Sequence, residues 1–180
     1  MDVDFSSDFF IISYNSRQET ITMVQENYYQ GMKEIYQTDN FVVVAPSKPL
    51  VSREEGGHLK IYPKERIKDR TEMTKELAQE FIELTMLIGK ALTRAMTNRG
   101  LEITRINYQE MGNWAFKTDK TEHFHLHIFG RAKSAKHQPY TEAVYLPDRS
   151  TGFYDEFKPL NQEDITEIKK QITLILRDNQ

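Results

Sequence analysis

Cysteine is absent from all 180 residues, and that removes a disulfide framework, a thiolate zinc site and a cysteine nucleophile together. Tryptophan occurs once, proline six times and glycine eight times. No repeat, low-complexity tract or block of like charge interrupts the chain, so one continuous domain is expected. Positive charge is not in excess either, since 24 Lys and Arg stand against 27 Asp and Glu for a formal net charge of −3. Without a global basic field, neither a nucleic acid polymer nor an anionic membrane is expected as a partner, and any nucleotide must be held by a local site. Long apolar runs are missing too. The stretch Phe9 to Ile12 is too short for a signal-peptide core or a membrane span, which makes the cytoplasm the default compartment. Against these absences stand 11% aromatic residues, which argue against disorder.

Hydrophobic patterning places the elements. "FVVVAP", Phe41 to Pro46, is a β-branched run closed by proline, and "HLKIYPK", His58 to Lys64, alternates apolar and polar residues. Both read as strands, with a loop between them in which Gly56 and Gly57 are free to take unusual backbone angles. A long helix follows: Leu77, Phe81, Leu84, Ile88, Leu92 and Met96 recur at steps of three or four, Thr74 is placed to cap it and Gly100 to stop it. Leu101 to Glu110 is a strand candidate, and "EHFHLHIFGR", Glu122 to Arg131, is another. Asn161 can cap a last helix with a stripe of Ile165, Ile168, Ile172 and Ile175, which packs on this chain or on a partner subunit. A short amphipathic piece is expected around Glu19 to Tyr28. Neighbouring strands with a helix on one face make an α+β fold.

Three of the five histidines stand at alternate positions, His123, His125 and His127. In a strand they share one face, while Phe124, Leu126 and Ile128 share the other. Three readings compete: histidines simply exposed on a sheet, a metal site, and nucleophilic catalysis. For metal, the outer pair would lie roughly 13 Å apart at Cα along a straight strand, so all three cannot converge on one zinc without strain. For catalysis, imidazole has an ordinary pKa of about 6.5 and a large neutral fraction at pH 7. A backbone carbonyl accepting from Nδ1–H would leave Nε2 of His125 free to attack, and phosphorus is the natural electrophile.

The run His123-Phe124-His125-Leu126-His127-Ile128-Phe129 resembles the signature of the histidine triad (HIT) superfamily, His-φ-His-φ-His-φ-φ with φ apolar. The order of the strand ending "IYPK", the long helix, "RINYQEMGNW" and the triad strand resembles that family as well. The resemblance covers roughly residues 35–131, which would leave 1–34 as an N-terminal extension and 132–180 as a C-terminal extension with its helix. It implies a HIT-like α+β fold with an antiparallel sheet under a long helix, usually a homodimer. It also implies a hydrolase or transferase that cleaves a nucleoside monophosphate from a leaving group, with no metal or organic cofactor. By that pattern His125 is the nucleophile, and His123 and His127 orient it and contact the phosphate. A phosphate-binding asparagine of the family corresponds to Asn107 or Asn113. Where many members carry a fourth histidine after Pro-Lys, this chain has Arg66, suited to bidentate phosphate contacts but unable to act as an acid near pH 7. His58 can reach the site from another position. Asp119 and Lys120 replace a phosphate-contacting Ser, Thr or Gln, and Lys120 can bind phosphate as a point charge.

Other residues divide between function and packing. Trp114 stacks on a base or, more often in such a position, packs in the core. Phe41, Val43 and Tyr62 line a nucleoside cleft or, more simply, belong to the core. Arg131, Lys133 and Lys136 meet distal phosphates or form a solvated surface. The expected function is nucleotidyl transfer or hydrolysis of a diadenosine polyphosphate or adenosine phosphoramidate through His125. The alternative is a nucleotide-binding or regulatory module with weak turnover, because Arg66 replaces the fourth histidine.

Overall fold

The computed structural model describes residues 31–117 and 122–178; the short amphipathic piece expected around Glu19 to Tyr28 lies outside them. Five strands, β1 (Lys33–Gln37), β2 (Phe41–Ala45), β3 (His58–Pro63), β4 (Ile103–Glu110) and β5 (Leu126–Ala132), form one antiparallel sheet in the order β1-β2-β3-β5-β4. Helices α1 (Lys75–Asn98) and α2 (Gln162–Asp178) complete an α+β fold. Strand β1 is the element that alternation did not predict. Its sequence KEIYQ buries only Ile35, as suits an edge strand.

Both helices cover one face of the sheet. The expected α1 stripe enters the core with Phe41, Val43, Leu59, Ile61, Leu126 and Ile128 beneath it, and Leu77 packs at its margin. Thr74 Oγ1 accepts from the Leu77 amide at 3.2 Å and caps the start. At the other end Gly100, at φ +88°, turns the chain so that the amides of Gly100 and Leu101 reach the carbonyls of Thr97 and Met96. Helix α2 packs on this same chain: Ile165, Ile168, Ile172 and Ile175 all join the core, and burying each is worth about 1.5–3 kcal/mol. Asn161 and Asp164 cap it reciprocally, each side chain accepting from the other's amide at 2.9–3.0 Å. The fully buried Asp164 carboxylate also takes Arg53 at 2.7 Å and Arg99 at 3.2 Å, tying α2 to the β2–β3 loop and to the end of α1.

On the opposite face, a segment from the C-terminal part folds back over one end of the sheet. Phe129, Leu50, Val51, Tyr154 and Phe157 make a second apolar cluster there. The buried carboxylate of Glu55 holds that segment by accepting from the amides of Lys136, His137 and Gln138 and from the His137 ring.

Strands β3 and β5 meet at a pair of glycines. Gly56, at φ +127°, lies against Gly130 so closely that a Cβ on either would run into the other's carbonyl, while the Gly130 amide donates to Gly57 O at 3.0 Å. No other residue type fits at either position. Gly130→Ala is therefore expected to cost about 2 kcal/mol or more. Gly112→Ala, whose Cβ would meet nothing within 4 Å, should stay within about 0.5 kcal/mol. Urea unfolding of the two variants measures both.

Candidate active site

Side-chain alternation sorts the residues of β3 and β5 before any chemistry does. On β3, Leu59 and Ile61 enter the core, which leaves His58, Lys60 and Tyr62 on the far face. Along β5 and the segment leading into it, Phe124, Leu126 and Ile128 enter the core. His123, His125 and His127 therefore share the far face with Phe129. The strand starts at Leu126 rather than at Glu122, because its ladders with β3 and β4 both end at Leu126. Phe124 instead pairs its amide with Ile67 O at 2.8 Å, and the alternation carries through.

Hydrogen bonds assign a proton to each ring. The Leu50 amide donates to His58 Nδ1 at 3.1 Å, so neutral His58 carries its proton on Nε2. That Nε2 lies 2.9 Å from His127 Nδ1, which must then accept, leaving the His127 proton on Nε2. His125 Nδ1–H donates to its neighbour's carbonyl, His123 O, at 3.0 Å, and its Nε2 keeps a lone pair. His123 Nε2–H donates to Pro63 O at 3.2 Å. The His125 and His127 rings lie 4.7 Å apart. A nucleophilic nitrogen and a ring N–H donor thus sit side by side on one strand face.

Burial and positive charge keep these rings neutral. Burial foremost, then the nearby Lys60 ammonium, pushes His125 down to about 4 and holds His127 well below the usual histidine range. His58 is held as low, by burial first and then Lys60. His123 is lowered chiefly by burial, against which the Pro63 carbonyl acts. Among the described residues no three His, Asp or Glu side chains form a group able to hold a metal ion.

Several residues stand elsewhere than their sequence context suggested. His58 comes to the triad from the start of β3, opposite Phe129 in register, and supplies the fourth imidazole. Arg66 is tied to the backbone: its Nε and Nη2 both donate to Glu122 O at 3.0 Å, and it fastens the chain just before the triad. Asn107 shares the histidine face, but its Oδ1 accepts from Arg131 Nη1 at 2.7 Å. Arg131 is fully buried instead of solvated, because strand parity turns it under the segment whose Gln138, Pro139 and Glu142 carbonyls accept from it. Lys133 and Lys136 are exposed, as a surface reading expects.

Tyr62 is buried, at 2% exposure, on the histidine face, where its ring stacks on His125 at 4.9 Å and 18°, whereas Phe41 and Val43 are buried in the core under the helices. Trp114 is 37% exposed on a 3-10 turn, Asn113–Lys117, and joins neither apolar cluster. Asn113 lies at the start of that turn, while Asp119 and Lys120 fall outside the described residues.

Two residues escaped the sequence reading. Gln109 stands opposite His127 on β4, and its buried Oε1 has no hydrogen-bond partner. Lys60 stands opposite His127 on β3. Strand parity was the available signal for Lys60, since its neighbours Leu59 and Ile61 are apolar.

Comparison with known proteins agrees with this architecture. The family model described as HIT domain matches residues 30–134. A zinc-bound histidine triad family protein from Mycobacterium smegmatis is similar at 19% identity over 89% of this chain and 96% of that one, with a TM-score of 0.57. A histidine triad protein from Sinorhizobium meliloti is similar at 17% identity, 83% and 93% coverage and a TM-score of 0.58. A Hit-like protein involved in cell-cycle regulation from Bartonella henselae is similar at 16% identity, 89% and 99% coverage and a TM-score of 0.53. At these identities the likeness is one of fold. No curated protein matches the chain, and no helix of the described residues is long and apolar enough to cross a membrane.

The depressed histidines set a sign for stability. Below about pH 6.5 an unfolded chain protonates these rings, while the folded protein resists until about pH 4 at His125. The unfolded state then binds more protons, so stability falls as pH drops through that window. Thermal unfolding should show a lower midpoint at pH 5 than at pH 7, and replacing His127 with Gln should shrink the difference.

Proposed function

The chain belongs to the HIT family, and from that premise we propose that it is a nucleotide hydrolase or transferase working through a nucleotidyl-histidine on His125. The observation that carries the proposal is the bond from His125 Nδ1–H to His123 O, which aims the Nε2 lone pair outward beside the His127 Nε2–H. Attack by Nε2 on phosphorus forms a P–N bond and breaks the bond to the leaving group, which departs with its electron pair. His127 Nε2–H donates to an oxygen of the reacting group as charge develops there. The ring of the adduct is cationic, and the His123 carbonyl at Nδ1–H stabilises that charge. Water then attacks phosphorus, the P–N pair returns to Nε2, and a proton leaves to solvent.

The surroundings support this division of labour. His58 fixes the His127 tautomer through the 2.9 Å bond, a positioning role. The buried Gln109 Oε1, which has no hydrogen-bond partner, is available to accept from a substrate hydroxyl. The weak-turnover alternative drew on a missing fourth histidine, and the contact of His58 with His127 supports the catalytic reading over it. Trp114, being exposed near the end of β4, is available to stack on a base. The substrate class is a nucleoside monophosphate joined through an anhydride or phosphoramidate bond, with diadenosine polyphosphates and adenosine phosphoramidate as the compounds to try. A cytoplasmic homodimer belongs to the same reading, with β4 as an open edge of the sheet.

Intact-protein mass spectrometry after an acid-free quench tests the covalent step: a nucleoside monophosphate adduct is expected on the wild type and none on His125→Asn. Turnover in that variant should fall by about 10³-fold or more, and equal activity would sink the mechanism. Because His125 is held down to about 4, kcat/KM should stay level through pH 6 and lose activity only near pH 4. An acidic limb near 6.5 would mean that another group governs the rate.

A further inference from the structure

Lys60 is a cation in a place where the fold does not need one. It lies between His58 and Tyr62 on the histidine face and directly opposite His127 in the β3–β5 register. Its half-buried ammonium donates to Tyr62 Oη at 3.1 Å, and that same Tyr62 ring stacks on His125. Among the described residues every ion pair is made by other side chains, and no carboxylate lies within reach of Lys60. A partly buried ammonium beside neutral imidazoles and without a counter-ion is unfavourable unless an anion visits it.

A second cation is tied to the loop that holds His58, since Lys48 lies two residues before Leu50, whose amide donates to His58 Nδ1. Arg149, in the C-terminal part of the chain, donates through Nη2 to Lys48 O at 2.8 Å and lies 5.2 Å over the Tyr154 ring. Those contacts hold the guanidinium while leaving most of its five N–H donors to other partners. Burial foremost, and after it the Arg149 charge, brings Lys60 down to about 8. Two like charges on this side of the histidine face repel each other, and one anion held between them relieves both. A purely structural lysine would lay its stem on the sheet and send its charge to water; this one turns to a tyrosine that covers the nucleophile.

We propose that Lys60 and Arg149 form an anion subsite beside His127 that receives a phosphate of the leaving group, so that the preferred substrate is a phosphoanhydride rather than a phosphoramidate. The inference rests on the reading of His125 as nucleophile for the substrate, but the subsite itself stands on Lys60 and Arg149. One phosphate is attacked at His125 while the next is held by the two cations. Departure of the leaving group then breaks a P–O bond, and the released oxygen carries its negative charge toward the ammonium and guanidinium. The departing phosphate needs no proton at that moment.

Binding and turnover of the full chain test this separately. Calorimetry with inorganic tripolyphosphate should show binding to the wild type that weakens tenfold or more in Lys60→Met and in Arg149→Gln, with AMP affinity falling several-fold less. In turnover, the same variants should lower the ratio of kcat/KM for diadenosine tetraphosphate over adenosine phosphoramidate by tenfold or more. Thermal midpoints near wild type establish that the variants are folded, and Arg149→Gln, on an exposed residue, serves if Lys60→Met is not. Unchanged tripolyphosphate affinity, or equal loss on both substrates, overturns the subsite. If tripolyphosphate binds through both cations but no adduct ever forms on His125, the subsite stands and the nucleophile assignment is what fails.

Discussion

The contact between Gly56 and Gly130 is the constraint on which the rest of the site depends. Two backbones that close cannot slide past each other, so the start of β3 is locked against β5 in one register. Register decides which side chains oppose one another, and a slip of one residue would exchange the faces of the entire strand. With the register held, His58 is delivered to His127 and Lys60 is placed across from it. The tautomers follow from the backbone in the same way, because a Leu50 amide and a His123 carbonyl set the two ends of the proton order. The chemistry is thus written largely by main-chain groups, and the imidazoles carry it outward.

Charge is arranged around those rings rather than on them. Burial keeps His58, His125 and His127 neutral, and the Lys60 ammonium reinforces that effect. The outcome is a face rich in nitrogen yet nearly uncharged at His125, with positive charge kept to one side. Such a division suits phosphoryl chemistry, where the attacking nitrogen needs a lone pair and the phosphate oxygens need cations.

Much of this was legible in the sequence, and the reasons are local. The α1 and α2 stripes and their caps at Thr74 and Asn161 were readable because helix period and capping depend on neighbours a few positions away. The histidine face was readable because strand period is two. What escaped depends on pairing between distant segments. Arg66 looked like a substitute for a histidine, while the imidazole came from His58 across a strand pair. Arg131 looked like part of a basic surface until residues 138–142 closed over it. Gln109 gave no sign at all, since only the β4–β5 register brings it to His127. Strand β1 was hidden by its polar edge composition.

The anchorage of α2 bears on where this protein can be cut. The family match ends at residue 134, yet the four isoleucines that cover the sheet, and the Asp164 carboxylate that gathers Arg53 and Arg99, come after it. A fragment trimmed to the recognisable motif would expose a greasy sheet face and leave two guanidinium groups without their carboxylate. The boundary drawn by sequence likeness and the boundary of the cooperative folding unit are different lines, and the second runs to the last turn of α2.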